Sequence, residues 1–319
     1  MKYLVTGGAG FIGSHTVEQL IREGHHIRVL DNFSSGIREN LVSVNGNPNI
    51  EIIEGDVRDA ALVQRLATGM DGVLHLAALV SVQESVTNPE LCLDINVRGT
   101  CNVLDAARRA DVRRVILASS AGVYGDNAKL PLSEEAASQP LSSYAMSKYV
   151  GELYAELYHR LYGLETTALR YFNVYGPRQN PLSPYSGVIS IFVHRTLAGK
   201  GIIIYGDGSQ TRDFVHVEDV AAANLASLRG SYRGFRTYNV GSGQATSINQ
   251  LAELLMTLGG VRVGIDRQPS RQGDIQHSCA DFGRLRAELG CSPRHALERG
   301  LRDLILAMDG GGRSASTAR

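Results

Sequence analysis

Along the first half of the chain, a short apolar, β-branched run repeatedly gives way to a small-residue turn and then to apolar residues three or four apart. The runs Tyr3–Thr6, His26–Asp31, Ile50–Glu54, Gly72–Leu76, Arg114–Ala118 and Thr166–Tyr171 predict strands. The periodic stretches Phe11–Glu23, Ala60–Thr68, Pro89–Ala110 and Tyr144–Tyr162 predict helices, the first stopped by Gly24. Strands alternating with helices in this way predict an α/β fold. The expected sheet is parallel, covered on both faces, and joined by right-handed crossovers.

The pattern loosens after Asn173. Residues Gly176–Gly187 are rich in Pro, Ser, Asn and Tyr and read as a long loop, of a length more often functional than incidental. Helices are expected at Val188–Ala198, Val217–Leu228 and Ile248–Leu258, and strands at Ile202–Tyr205 and Thr237–Val240. This divides the chain into a larger domain of residues 1–173 and about 207–240, and a smaller mixed one of about 174–206 and 241–309. The Gly/Ser-rich stretch Gly310–Arg319 reads as a disordered tail.

Composition narrows the function classes. Of 319 residues, 43% are hydrophobic, enough for a large core, and 32 basic residues balance 32 acidic ones. That balance gives no reason to expect a nucleic-acid partner. The four cysteines form no CxxC pair and no histidine stands at finger spacing from them, so buried free thiols are expected, with neither a disulfide framework nor a metal site. No apolar run approaches the ~18 residues of a membrane span and no leader-like segment opens the chain. A cytoplasmic location is the resulting expectation.

The first chemistry lies between the first strand and the first helix, in Thr6-Gly-Gly-Ala-Gly-Phe-Ile-Gly13. Glycines 8, 10 and 13 match G-x-G-x-x-G, and glycines 7, 10 and 13 match G-x-x-G-x-x-G. A Cβ here would keep a pyrophosphate away from the backbone, whereas the bare helix N-terminus offers N–H groups and a favourable dipole. Asp31 ends the second strand eighteen positions after Gly13, where a carboxylate can bind both hydroxyls of an adenosine ribose. Asn32, Phe33 and Ser34 follow it, with no arginine to accept a 2′-phosphate, so NAD is favoured over NADP. Asp56 stands where an adenine amino group would be bound, or equally where it would cap the next helix. His75-Leu76-Ala77-Ala78 closes the fourth strand with small residues that leave a cofactor room, and His75 itself reads as a packed core residue. The expected fold class is a Rossmann-type doubly wound sheet with a smaller mixed C-terminal substrate domain.

A second signal is Tyr144-Ala-Met-Ser-Lys148, whose first and last residues share one helix face. An ammonium beside a phenol favours the phenolate, so Lys148 is expected to lower the pKa of Tyr144 and suit it to work as a base. Ser119 and Ser120 lie where the fifth strand ends, one loop upstream.

Taken together these segments resemble the extended short-chain dehydrogenase/reductase family, in its UDP-glucose/UDP-galactose 4-epimerase branch with the members that accept N-acetylhexosamines. The resemblance covers about residues 1–308. It rests on TGGAGFIGSH (6–15), HLAA (75–78), NVRGT (96–100), SSAGVYG (119–125), YAMSK (144–148), RYFNVYGPRQNP (170–181), GDGSQTRDFVHVEDV (206–220) and RQGDIQHSCAD (271–281). It implies that Tyr144 takes the proton of the sugar 4-hydroxyl, that Lys148 holds the nicotinamide ribose, and that Ser120 hydrogen-bonds the 4-oxygen. Tyr171 would line the nicotinamide side, Asn173 would reach a phosphate, and Arg212 and Arg271 would clamp the diphosphate through planar guanidinium groups. It further places Gly7, Gly10, Phe11, Ile12, Gly13, Asp31, Asn32, Asp56, Val57, Leu76, Ala77, Ala78 and Asn96 around NAD. Val188, Tyr205, Asp274 and Ser278 would border the substrate. A homodimer built from Pro89–Ala110 and Tyr144–Tyr162 is also implied.

Within that family, dehydratases carry an Asp-Glu pair after the strand-five serine and decarboxylating members a Glu; here Ala121 and Gly122 follow Ser120, and neither can move a proton. Epimerisation at C4 is therefore expected, by oxidation to a 4-keto sugar, its rotation, and hydride return to the opposite face. Ser278, seven residues beyond Arg271, is small enough to leave room for an N-acetyl group at C2. A UDP-uronic acid 4-epimerase and a net nucleotide-sugar dehydrogenase or reductase use the same Tyr144 and Lys148 and remain alternatives. A cofactor-binding regulator would have no need of that triad.

Overall fold

The computed structural model describes residues 1–180, 187–270 and 275–314. Strands run at β1 (Lys2–Thr6), β2 (His26–Asp31), β3 (Ile50–Glu54), β4 (Gly72–His75), β5 (Arg114–Ser120), β6 (Glu165–Tyr171), β7 (Asn173–Tyr175), β8 (Ile202–Tyr205), β9 (Thr211–His216), β10 (Phe235–Val240), β11 (Ala245–Ser247) and β12 (Ile265–Gln268). Helices run at α1 (Phe11–Arg22), α2 (Ala60–Ala67), α3 (Val82–Thr87), α4 (Pro89–Cys92), α5 (Gly99–Arg109), α6 (Ser143–Tyr162), α7 (Val188–Leu197), α8 (Val217–Arg229), α9 (Ile248–Gly259), α10 (Gly283–Leu289) and α11 (Leu297–Ser314).

Seven strands form one sheet in the order β10-β6-β5-β4-β1-β2-β3, and every pairing in it is parallel. Alternate residues of each strand face opposite layers. Val5, Val29, Leu74, Ile116 and Leu169 pack with Val17 and Leu20 of α1 and Val220 and Ala223 of α8. Leu4, Leu30, Val73, Val115 and Leu117 pack with Val63 of α2, Leu104 of α5 and Ala155 of α6. The strand order reverses between β1 and β4, which opens a crevice beyond their carboxyl ends, the usual ligand position in such sheets.

A second layer holds the three-stranded sheet β11-β9-β7 and the parallel pair β12-β8, around a core of Tyr175, Phe192, Ile204, Phe214, Leu251 and Leu304. Strand β9, which the sequence reading gave to the larger domain, lies in this smaller sheet. Its alternation straddles both cores: Phe214 packs in the second and Val215 in the first. With β7, β11 and β12 it was not expected as a strand, because three- to six-residue segments among charged residues carry little periodicity.

Two expectations are corrected here. The helix expected over Pro89–Ala110 is one helical path in three parts, since Leu93–Arg98 winds as a π-helix between α4 and α5. The disorder expected over Gly310–Arg319 is replaced by helix at 310–314, because α11 carries on through Ser314 from the turns anchored by buried Leu301, Leu304 and Ile305; residues 315–319 lie outside the described residues. No helix among the described residues is long and apolar enough to cross a membrane.

Candidate active site

The glycine turn between β1 and α1 is built for close approach. Gly7 has φ +70°, and a Cβ on it would stand 2.7 Å from the Ala77 nitrogen across the crevice. A Cβ on Gly13 would stand 2.1 Å from the Gly7 oxygen, so α1 can meet the turn only at a glycine. Gly10, the residue that caps α1, is different. A Cβ there would meet only the Gly7 oxygen, at 3.2 Å, and no side chain caps the helix. The first-turn N–H groups at Phe11 and Ile12 therefore face a space that a side chain would fill and a pyrophosphate fits.

Asp31 closes β2 beside this turn. Its Oδ2 accepts from Ala9 N at 2.9 Å and its Oδ1 from Phe33 N at 2.9 Å, which fixes the carboxylate while leaving lone pairs for two ribose hydroxyls. Burial raises its pKa, and the two backbone bonds oppose that rise. Asp56 does not cap α2; Asp59 does, accepting from Leu62 N at 3.0 Å. Asp56 is instead gripped by Arg58 at 2.9 Å and by Asn32 Nδ2 at 2.9 Å, and Arg58 above all brings its pKa down to about 2. Val57 packs under α5 at Gly99, where a Cβ would stand 2.7 Å from the Val57 Cγ2. Leu76 and Ala77 hang from Thr6 across the crevice through their backbone nitrogens, and Ala78 continues from them. His75 is the core residue expected: it bridges Thr6 Oγ1 at 2.8 Å and Thr100 Oγ1 at 3.0 Å, and burial drops its pKa to about 3. The turn, the carboxylate and the small-residue rim fit an NAD molecule.

Asn96 sits in the π-turn and spends its side chain inside the protein. It accepts from Leu79 N at 2.7 Å and donates to Leu79 O at 3.0 Å and Ser147 Oγ at 2.9 Å. It thereby ties the rim after β4 to the helix that carries Tyr144, beside the expected cofactor site. Extra residues in a helical turn commonly mark such sites.

Ser120 ends β5, with its Oγ accepting from Gly122 N at 3.1 Å and near enough to the Tyr144 hydroxyl to favour its ionised form. Tyr144 and Lys148 lie one turn apart on α6, the Lys148 Nζ 5.8 Å from the Tyr144 ring centre. The ammonium donates to Ala118 O at 2.9 Å. Both side chains are part-buried, and burial outweighs the help expected from the lysine. Tyr144 is pushed above its ordinary value, with the Ser120 hydroxyl acting against the rise, and Lys148 falls to about 8. One more helical turn on, Glu152 shares this face. It receives Ser119 Oγ at 2.5 Å and pairs with Arg170 at 2.6 Å, forming a buried base beneath the triad that sequence reading missed. The spacing Tyr144–Lys148–Glu152 was the available signal.

The residues expected to border the substrate lie largely on the second layer. Ser120 stands opposite Tyr171 in the β5–β6 register, and Phe172 alone separates Tyr171 from Asn173 on β7. Asn173 pairs with Phe214 of β9, the strand that also carries Arg212. The Ser278 nitrogen bonds Thr211 O at 3.2 Å, so β9 carries Arg212 between its pairing with Asn173 of β7 and its bond to the segment of buried Ser278. Asp213 locks that arrangement, accepting from Ser242 N, Gly243 N and Ala280 N at 2.6, 2.9 and 2.9 Å. Tyr205 ends β8, and Val188 opens α7 packed against the second core. Tyr171 turns its hydroxyl inward to Asn224 Oδ1 at 2.6 Å, so it contributes its ring and backbone position to the crevice and no free hydroxyl. Arg271 and Asp274 lie outside the described residues.

Residues 3–241 match the NAD dependent epimerase/dehydratase family. The chain is 41% identical over 303 residues to the UDP-glucose 4-epimerase of Mycolicibacterium smegmatis, covering 94% of this chain and 96% of that one. It superposes on the UDP-glucose 4-epimerase of Thermotoga maritima solved with UDP-glucose at a TM-score of 0.92 and 38% identity, over 98% of this chain and 99% of that one. It also superposes on the UDP-N-acetylglucosamine 4-epimerase of Methanobrevibacter ruminantium solved with UDP-N-acetylmuramic acid, at 0.93 and 38% identity, over 97% and 98%.

Proposed function

The chain belongs to the NAD-dependent epimerase/dehydratase family and takes NAD as its cofactor, and from that premise we propose that it is a 4-epimerase of UDP-hexoses. The observation that carries this reading is what surrounds Ser120. Ser120 ends β5 beside the Tyr144 hydroxyl, and the next residues, Ala121 and Gly122, supply no acid or base. Elimination of water or loss of carbon dioxide needs a second proton-moving group beside C4 and C5 of the sugar, and that place holds a methyl group and a hydrogen.

NAD, held by the glycine turn and Asp31, would supply a reversible hydride acceptor and a positive charge. This chain's residues do the rest. Tyr144 takes the proton of the 4-hydroxyl and returns it after the sugar has turned over. Ser120 holds the 4-oxygen in line with that phenol. Lys148, anchored on Ala118 O, is a charge kept close to the phenol and to the cofactor ribose. Asn173, Arg212 and Arg271 hold the diphosphate, so that the freed sugar rotates about a fixed anchor. Ser278 leaves space at C2, which supports acceptance of UDP-GlcNAc and UDP-GalNAc beside UDP-Glc and UDP-Gal.

The test is incubation of the purified protein with UDP-Gal, UDP-GalNAc and UDP-GalA separately, without added NAD, and identification of the products. UDP-Glc from UDP-Gal is expected. A 4-keto-6-deoxy sugar would reject epimerisation, and turnover of UDP-GalA alone would move the assignment to uronic acids. We also propose a homodimer. Met146, Leu153, Leu157 and Leu161 leave an apolar stripe exposed on α6, with Leu93 exposed on the neighbouring π-turn, and a face of that size calls for a partner.

A further inference from the structure

β9, α8 and the loop before α11 meet at a group of side chains that the proposed reaction does not use. One ligand-capable atom from each of His216, Glu218 and His295 lies within 4.8 Å of the other two. The His295 Nε2 is 3.3 Å from Glu218 Oε2, and the two imidazole rings lie 4.4 Å apart. Ligands each about 2.0–2.1 Å from a tetrahedral zinc stand roughly 3.3 Å from one another, so the pair is already at coordination spacing.

We propose that His216, Glu218 and His295 form a divalent-cation site suited to Zn²⁺. Two imidazoles and one carboxylate are a borderline donor set of the kind zinc takes, with a fourth position left for water.

A second, independent feature supports the assignment. Asp219 Oδ1 faces His295 Nδ1 at 2.9 Å, and the Asp219 carboxylate also accepts from Arg294 N at 3.0 Å and His295 N at 3.1 Å. A carboxylate behind one ring nitrogen fixes the tautomer whose other nitrogen offers its lone pair, which is the usual support of a metal-bound histidine. Buried His216 supplies the inner wall, while Glu218 is exposed and His295 half-exposed, so an ion has a way in. Bound there, the ion would clip the segment before α11 onto the start of α8, joining the last helix to the larger sheet. Sequence spacing hid the set, since His295 is far along the chain from His216 and Glu218.

The NAD-loaded enzyme, stripped with chelator and dialysed, is titrated with Zn²⁺ alone. One site with a Kd at or below about 1 µM is expected, and X-ray absorption of the loaded protein should show two imidazole nitrogens and oxygen at about 2.0–2.1 Å. Glu218→Gln, an exposed change that leaves the fold intact, should weaken uptake about tenfold or more, and His295→Gln should abolish it. Epimerase turnover serves as the fold control for both variants. Absence of stoichiometric uptake by the unaltered protein, sulfur in the coordination sphere, or full uptake by His295→Gln would each overturn the site and leave the epimerase reading untouched.

Discussion

At the scale of single residues, the proposed chemistry turns on a phenol that burial makes a weaker acid and an ammonium that burial makes a stronger one. Tyr144→Phe removes the hydroxyl proposed to take the 4-hydroxyl proton and leaves the glycine turn and Asp31 as they are. Turnover is expected to fall by about 100-fold or more, with NAD still co-purifying when the extracted nucleotide is quantified; a fully active variant would refute the assignment of the base. Lys148 has a consequence for stability as well. Its folded pKa is about 8 against 10.5 unfolded. Below pH 8 both states carry the proton and the fold bears the cost of the buried charge. Between about 8 and 10.5 the unfolded chain holds more protons, so this group makes stability rise with pH. Denaturant midpoints across that window should climb for the cofactor-free protein more steeply than for Lys148→Met. Sequence located both side chains through the Y-x-x-x-K spacing but not the burial that raises the phenol in the cofactor-free chain, because a distance along a helix says nothing of how much water surrounds two side chains.

At the scale of elements, the long parallel strands were legible because burial on both faces writes near-continuous apolar runs, as in Tyr3-Leu4-Val5. The glycine turn was legible because close approach between Gly7 and Ala77 and between Gly13 and Gly7 admits no Cβ. The π-turn was not. Its residues carry the same helical periodicity as their neighbours, and only the three-dimensional demand for Asn96 to reach both Leu79 and Ser147 explains the extra residue. Asn96→Ala strands the Leu79 backbone groups in a buried place. It should cost about 2–3 kcal/mol in chemical denaturation and lower turnover through Tyr144 misplacement, whereas an unchanged midpoint would deny the π-turn its positioning role. The small strands β7 and β9 escaped the sequence reading for the opposite reason: they are short, partly polar, and defined by partners distant in the chain. The substrate-side residues were therefore placed by resemblance, and the structure supplied the element that gathers Asn173, Arg212 and Ser278.

At the scale of the whole molecule, the larger sheet carries the proposed redox site and the second layer the proposed sugar-nucleotide side, with Phe172 the single residue between Tyr171 and Asn173 where the two join. The triad stands on β5 and α6, and α6 also carries the exposed apolar stripe, so the proposed dimer contact and the catalytic helix are one element. Leu153→Asp combined with Leu157→Asp should leave a monomer in light scattering, and dimers persisting in that variant would place the contact elsewhere. The central claim is that hydride leaves C4 and comes back to C4 of the same sugar. Its most direct test is NMR of the products from UDP-[4-²H]galactose turned over in ordinary water without added NAD. The account predicts UDP-glucose with deuterium retained at C4; deuterium at C6 of a 4-keto-6-deoxy sugar, or its loss to solvent, would contradict it.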